Sequence, residues 1–91
     1  MISAYEARNK SDNLRKDKIE DFLKRLPQKI ENALDEAINS GFYELDFPIP
    51  NFGMESFYKI GDKIAKLLSY HDYRVMGHWE QKVIKISWKK Q

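Results

Sequence analysis

The sequence contains no cysteine, only four glycines and three prolines, and no long apolar run. The absence of cysteine excludes disulfides, a thiol nucleophile and a thiolate zinc site. The glycines are scattered, so none of the glycine-rich loops that bind phosphate groups is present. No window approaches the roughly 18 apolar residues of a membrane span, and the first residues lack the layout of a signal peptide. We therefore expect a cytoplasmic protein without a membrane segment.

An excess of charge of one sign is also absent. The chain has 16 Lys and Arg against 14 Asp and Glu, a net charge of +2, whereas dedicated nucleic-acid-binding domains are usually far more basic. The segment from residue 73 onwards is more basic than the rest, with Arg74, Lys82, Lys85, Lys89 and Lys90 against Glu80 alone. This bias predicts either a solvated strand whose lysines discourage edge pairing or an anion-binding edge.

Residues 1–41 predict a long amphipathic helix. Ser3 and Glu6 have the spacing of a capping box, and residues 11–13 offer a second set of caps. Pro27 lacks the amide hydrogen that a helix interior needs, so we expect a kink or a local opening there, and Gly41 is a typical helix stop. The apolar positions recur at steps of three and four residues: Ile19, Phe22, Leu23, Leu26, Ile30, Ala33, Leu34, Ala37 and Ile38.

A strand and a second helix are expected next. Residues 42–47 alternate with period two, which turns Tyr43, Leu45 and Phe47, or the opposite set, towards a core. Pro48 indicates an edge strand or a strand end. The second helix should begin at a cap on Asn51 and run to about Tyr70. Its apolar stripe comprises Met54, Phe57, Ile60, Gly61, Ile64, Ala65, Leu67 and Leu68, and the glycine within it predicts close packing on the sheet or on the long helix.

The remaining residues predict a hairpin. Tyr73, Val75, Gly77 and Trp79 alternate with Arg74, Met76 and His78, and after a turn near residues 80–81, Ile84, Ile86 and Trp88 alternate with Lys85 and Ser87. The whole chain of 91 residues is then a single α+β domain, with a helical part at 1–41 and a β-α-β-β part at 42–91. We expect a small, mostly antiparallel sheet of three strands with both helices on one face.

Signatures of catalysis and of metal binding are missing from the sequence. His71 and His78 are seven residues apart and lack the helical spacing with further ligands that a metal site needs. No serine lies in a nucleophile elbow, and the carboxylates of the long helix are spaced for surface ion pairs with nearby Lys and Arg. We therefore predict a protein that is not an enzyme and uses no metal or cofactor.

Aromatic side chains are numerous, with five Tyr, five Phe and two Trp. Six of them exceed what one small core can readily bury: Tyr5, Tyr58, Tyr70, Tyr73, Trp79 and Trp88. They indicate either half-buried packing at the rim of the core or a surface for self-association or for stacking on bases.

Three short segments resemble a group of small phage-encoded proteins. Residues 2–8, ISAYEAR, resemble their "sAxEAR" start, and residues 84–88, IKISW, resemble their closing "xxISW" strand. Residues 67–75 resemble their "LxxxGYxV" segment, with His71 and Asp72 at the turn where those proteins usually have Gly. The long helix, the extended segment and the second helix follow the same layout, so the likeness extends over nearly the whole chain.

The resemblance implies a phage accessory protein that acts by binding in the cytoplasm of the host cell. Such a counter-defence protein would either sequester a nucleotide signal of bacterial anti-phage immunity, as a homo-oligomer, or inhibit a host protein. Phosphate and base binding would then fall to Tyr5, Arg8, Tyr73, Arg74, His78, Trp79, Lys85 and Trp88. The alternatives are nucleic-acid binding through the basic C-terminal hairpin and a role as a minor virion component.

Overall fold

The computed structural model describes residues 1–69 and 71–89 and confirms the α+β architecture. In chain order the elements are α1 (Ala4–Asn39), β1 (Glu44–Pro48), α2 (Met54–Leu68), β2 (Arg74–His78), a 3₁₀ turn (Trp79–Gln81) and β3 (Val83–Ser87). The strands form one antiparallel sheet in the order β1-β3-β2, so β3 is central. Among the described residues, no helix combines the length and the apolar character needed to cross a bilayer.

Helix α1 is one continuous helix of 36 residues, about 54 Å long at 1.5 Å per residue. The Ser3 hydroxyl accepts a hydrogen bond from the Glu6 amide at 3.1 Å, which confirms the expected cap. The helix ends in a Schellman turn at Gly41, whose φ is +80°, with the Phe42 amide donating to the Ala37 carbonyl at 3.0 Å. The expected second start at residues 11–13 is wrong, because the turn begun at Ser3 continues through them. The helix also runs unbroken through Pro27, which is exposed.

Both helices cover the same face of the sheet, as predicted. The core joins buried residues of α1 and α2 to inward side chains of the strands: Phe22, Leu26, Ile30, Leu34, Phe47, Ile49, Phe57, Ile60, Ile64, Leu68, Ile84 and Ile86. Ile86 lies between Leu45 and Val75, and Ile84 lies between Phe47 and Gly77. The alternate residues of the strands point to the other face, which neither helix covers.

Helix α2 packs closely on the central strand. A Cβ at Gly61 would lie 3.2 Å from Cδ1 of Ile84, which confirms the predicted close approach to the sheet. The helix begins after Gly53, whose φ is +96°, so the predicted cap at Asn51 is wrong. Its last residue is Leu68, whereas the end expected at Tyr70 lies outside the described residues.

Strand β1 lies two residues later at its start than the sequence pattern predicts. The Schellman turn uses Gly41 and Phe42, so the strand begins at Glu44, and Tyr43 is exposed. Pro48 is the last residue of this edge strand, as expected. The strand hydrogen bonds extend one residue further, because the Ile49 amide donates to the Lys82 carbonyl at 2.8 Å.

Candidate functional site

The eight residues predicted to bind a ligand lie in three separate parts of the molecule. Arg74, His78 and Lys85 are on the uncovered outer face of the sheet. Tyr73, Trp79 and Trp88 are half-buried and pack against the core. Tyr5 and Arg8 are near the start of α1, where no residue is buried. A single protomer therefore does not bring the eight into one pocket.

The outer face of the sheet is electrically mixed. Lys85 lies between Asp46 of β1 and Met76 of β2 in the strand register, and its Nζ is 3.9 Å from Oε1 of Glu44. Arg74 and His78 occupy the same face on β2. The basic bias of the hairpin is thus offset by two carboxylates that β1 contributes to the same surface. This arrangement reduces the attraction for a polyanion that the C-terminal sequence alone predicts.

The hairpin aromatics are used in packing. Tyr73 and Trp88 make an edge contact with ring centroids 6.0 Å apart, and Trp79 makes one with Phe57 at 5.5 Å. Lys82 lies over the Trp79 ring, with Nζ 3.7 Å from its centroid, and the same Nζ donates to the Trp79 carbonyl at 2.9 Å. Both tryptophans lie on the helix-covered side of the sheet and agree with the rim-packing interpretation. Stacking on a base would require a free ring face.

The first part of α1 forms an N-terminal arm, defined here as residues 4–18. None of these residues is buried, and at 1.5 Å per residue the arm is about 22 Å long. The molecule measures 57 × 23 × 23 Å, because α1 extends beyond the core. The arm therefore contributes no side chain to the hydrophobic core.

Four residues of the arm share one helix face. Tyr5, Arg8, Asp12 and Arg15 follow one another at steps of three and four residues, and Ile19 continues the same face towards the core. We call these four the arm face. Nη1 of Arg15 lies 4.0 Å from the place of a Cβ on Gly53, so the arm face begins beside the loop that precedes α2. The apolar periodicity did not single out Asp12 and Arg15, because both are charged.

The described residues contain no arrangement suited to metal binding or to acid–base catalysis. No group of three or more His, Asp or Glu side chains among them is placed to hold a metal ion, and none of their polar side chains is buried. The two largest cavities, of about 580 and 590 Å³, are open grooves. One separates α1 from the end of α2 and the other separates α1 from β1. These grooves suit docking of another molecule better than enclosure of a small one.

Comparisons with protein-family models, with curated proteins and with solved structures found no match. The similarity to phage-encoded proteins thus depends on the three short segments alone. In the fold, residues 2–8 begin the arm, residues 84–88 include most of the central strand, and the described part of residues 67–75 joins α2 to β2.

Proposed function

We propose that this chain is a non-enzymatic phage accessory protein that binds and inhibits a host protein, with the arm face as its main contact. The observation that carries the proposal is the arm itself. Fifteen-residue helices without tertiary contacts are only marginally stable in water, so a surface partner gives this segment a reason to be helical. The site of action would be the cytoplasm of the host cell.

The composition of the arm face supports a protein partner. Tyr and Arg are the residue types enriched among those that dominate the energy of protein interfaces, and here Tyr5, Arg8 and Arg15 alternate along one side of an exposed helix. Tyr5 is 69% exposed, so its ring has ample area to bury on a partner. Arg8 and Arg15 can form bidentate pairs with carboxylates.

Sequestration of a nucleotide receives less support from the geometry. The cationic side chains of the sheet and those of the arm are on different parts of the protomer, and the hairpin aromatics are engaged in packing. A nucleotide site would therefore have to be assembled from several subunits. The basic-hairpin model for nucleic acid is weakened by Glu44 and Asp46 on the same face.

Affinity capture with matched variants tests the proposal. The bait is the tagged full-length chain, compared with Tyr5→Ala, Arg8→Glu and Leu14→Ala in lysates of a bacterial host. Leu14 is also exposed on the arm, at 61%, but lies on the opposite side of the helix from the arm face. We expect the wild type and Leu14→Ala to retain the same host protein, whereas Tyr5→Ala and Arg8→Glu lose it while remaining folded.

Native mass spectrometry of the protein purified from bacteria with active immune signalling distinguishes the alternatives. A protomer without added small-molecule mass agrees with the proposal. An oligomer carrying nucleotide mass would contradict it and would favour sequestration. Salt-sensitive binding to DNA or RNA would instead favour the nucleic-acid model, and recovery of the protein in purified particles would favour a virion component.

A further inference from the structure

Strand β1 presents an unpaired backbone edge. The Trp88 amide donates to the Tyr43 carbonyl at 2.9 Å, and the Ile49 amide donates to the Lys82 carbonyl at 2.8 Å. In an antiparallel pair, residues alternate between those that bond to the neighbouring strand and those that point away from it. The odd-numbered residues of β1 therefore face β3, and Glu44, Asp46 and Pro48 direct their backbone groups to the free edge. Within the described residues, no backbone group is bonded to this edge.

A groove follows this edge between β1 and α1. It is formed by two overlapping cavities of about 590 and 310 Å³, which share Ala33, Glu36, Phe47 and Pro48. The helix side carries Ala33 and Ala37, one turn apart, whose short side chains leave space beside the strand. A free strand edge next to such a groove is the geometry in which an extended peptide can add a strand to a sheet.

The charges around the groove define what such a peptide must carry. Glu36 lines the groove, and Glu44 and Asp46 stand on the edge strand itself. Glu44 is near Lys85, and Lys29 lies over the Phe22 ring at 5.0 Å, whereas Glu36 and Asp46 have no ion pair among the described residues. The edge therefore favours a basic partner.

Strand geometry converts this preference into a sequence pattern. Residues of an added strand directly opposite Glu44 and Asp46 would point to the same outer face, and the residues between them would point into the groove towards α1. Basic residues therefore suit the first set and apolar residues suit the second. A second copy of β1 is disfavoured, because antiparallel self-pairing would place carboxylates opposite carboxylates.

We propose that the free edge of β1 binds an extended peptide segment of alternating apolar and basic residues, which pairs with Glu44 and Asp46 as a fourth strand. This site lies beside the C-terminal half of α1 and is separate from the arm face. The proposal therefore does not depend on the function assigned to the arm, and either can fail alone.

Titration of the full-length ¹⁵N-labelled protein with a capped heptapeptide of alternating Val and Lys tests the proposal by NMR. We expect the Glu44 and Asp46 amides to shift and to become protected from hydrogen exchange. The corresponding Val and Glu peptide should bind more weakly. Asp46→Lys should weaken binding of the Lys peptide about fivefold and strengthen binding of the Glu peptide. Arg74→Glu, a charge reversal on the other edge strand, is the matched control and should leave both affinities at β1 unchanged.

Four results would overturn the proposal. These are equal binding of the two peptides, shifts confined to the free edge of β2 at Tyr73, Val75 and Gly77, no binding at millimolar peptide, and a β1-paired dimer of the protein alone in sedimentation. Because Asp46 is exposed, its substitution leaves the core intact, and unchanged spectra of the core methyl groups would verify that.

Discussion

The two halves of α1 obey the same helical period and meet different surroundings. In the C-terminal half, the stripe that includes Phe22, Leu26, Ile30, Leu34 and Ala37 is buried against the sheet and α2. In the arm, the continuation of that stripe consists of Tyr5, Arg8, Asp12 and Arg15, and none is buried. The difference teaches that one helix can supply both the core and an exposed docking element, with the change of composition near Ile19 as the boundary.

Leucine truncation gives the largest contrast between the halves. Leu26 is fully buried and Leu14 is 61% exposed. Leu26→Ala should lower the free energy of unfolding by about 2–5 kcal/mol, since it removes buried methyl groups and leaves a cavity. Leu14→Ala should change it by less than about 0.5 kcal/mol. Urea denaturation of both variants measures the two effects, and similar losses would refute the division of α1.

Glycine substitution sharpens the contrast without altering any core contact. Lys24 and Lys10 are both exposed on α1, and neither has an ion pair among the described residues. Lys24→Gly should reduce global stability by about 1 kcal/mol, because glycine disfavours the helix to which the core is attached. Lys10→Gly should only fray the arm. A loss of global stability in the Lys10 variant would mean that the arm folds together with the domain.

The cap at Ser3 should have the smallest effect on global stability. Ser3→Ala removes the acceptor for the Glu6 amide, which costs a helix about 1 kcal/mol locally. The expected result is a lower helical signal at 222 nm with an unchanged urea midpoint. A shifted midpoint would contradict the independence of the arm.

The sequence predicted the elements with strong periodicity and missed features set by distant residues. The stripe of α1 and the alternation of the hairpin identified the buried positions, including the close contact at Gly61. Local cap signals at Ser11 and Asn51 were wrong. Helix α1 was already propagating from Ser3, and pairing of Ile49 with Lys82 kept the chain extended before the turn at Phe52.

The candidate sites show the same limitation. The hairpin is basic in sequence, yet β1 adds Glu44 and Asp46 to its outer face from some forty residues earlier in the chain. Composition within one segment cannot reveal which charges another strand will place beside it. The free edge of β1 likewise follows from the order β1-β3-β2, which periodicity does not determine.

Hydrogen exchange of the backbone amides measured by NMR is the most direct test of the division of α1. Helices without tertiary contacts open locally at little cost, whereas amides beneath a packed core exchange only through larger unfolding events. We predict weak protection for residues 8–18 and protection close to the global stability for residues 26–37. Equal, strong protection along the whole helix would contradict the account, since it would show that the arm is stabilised by the domain itself.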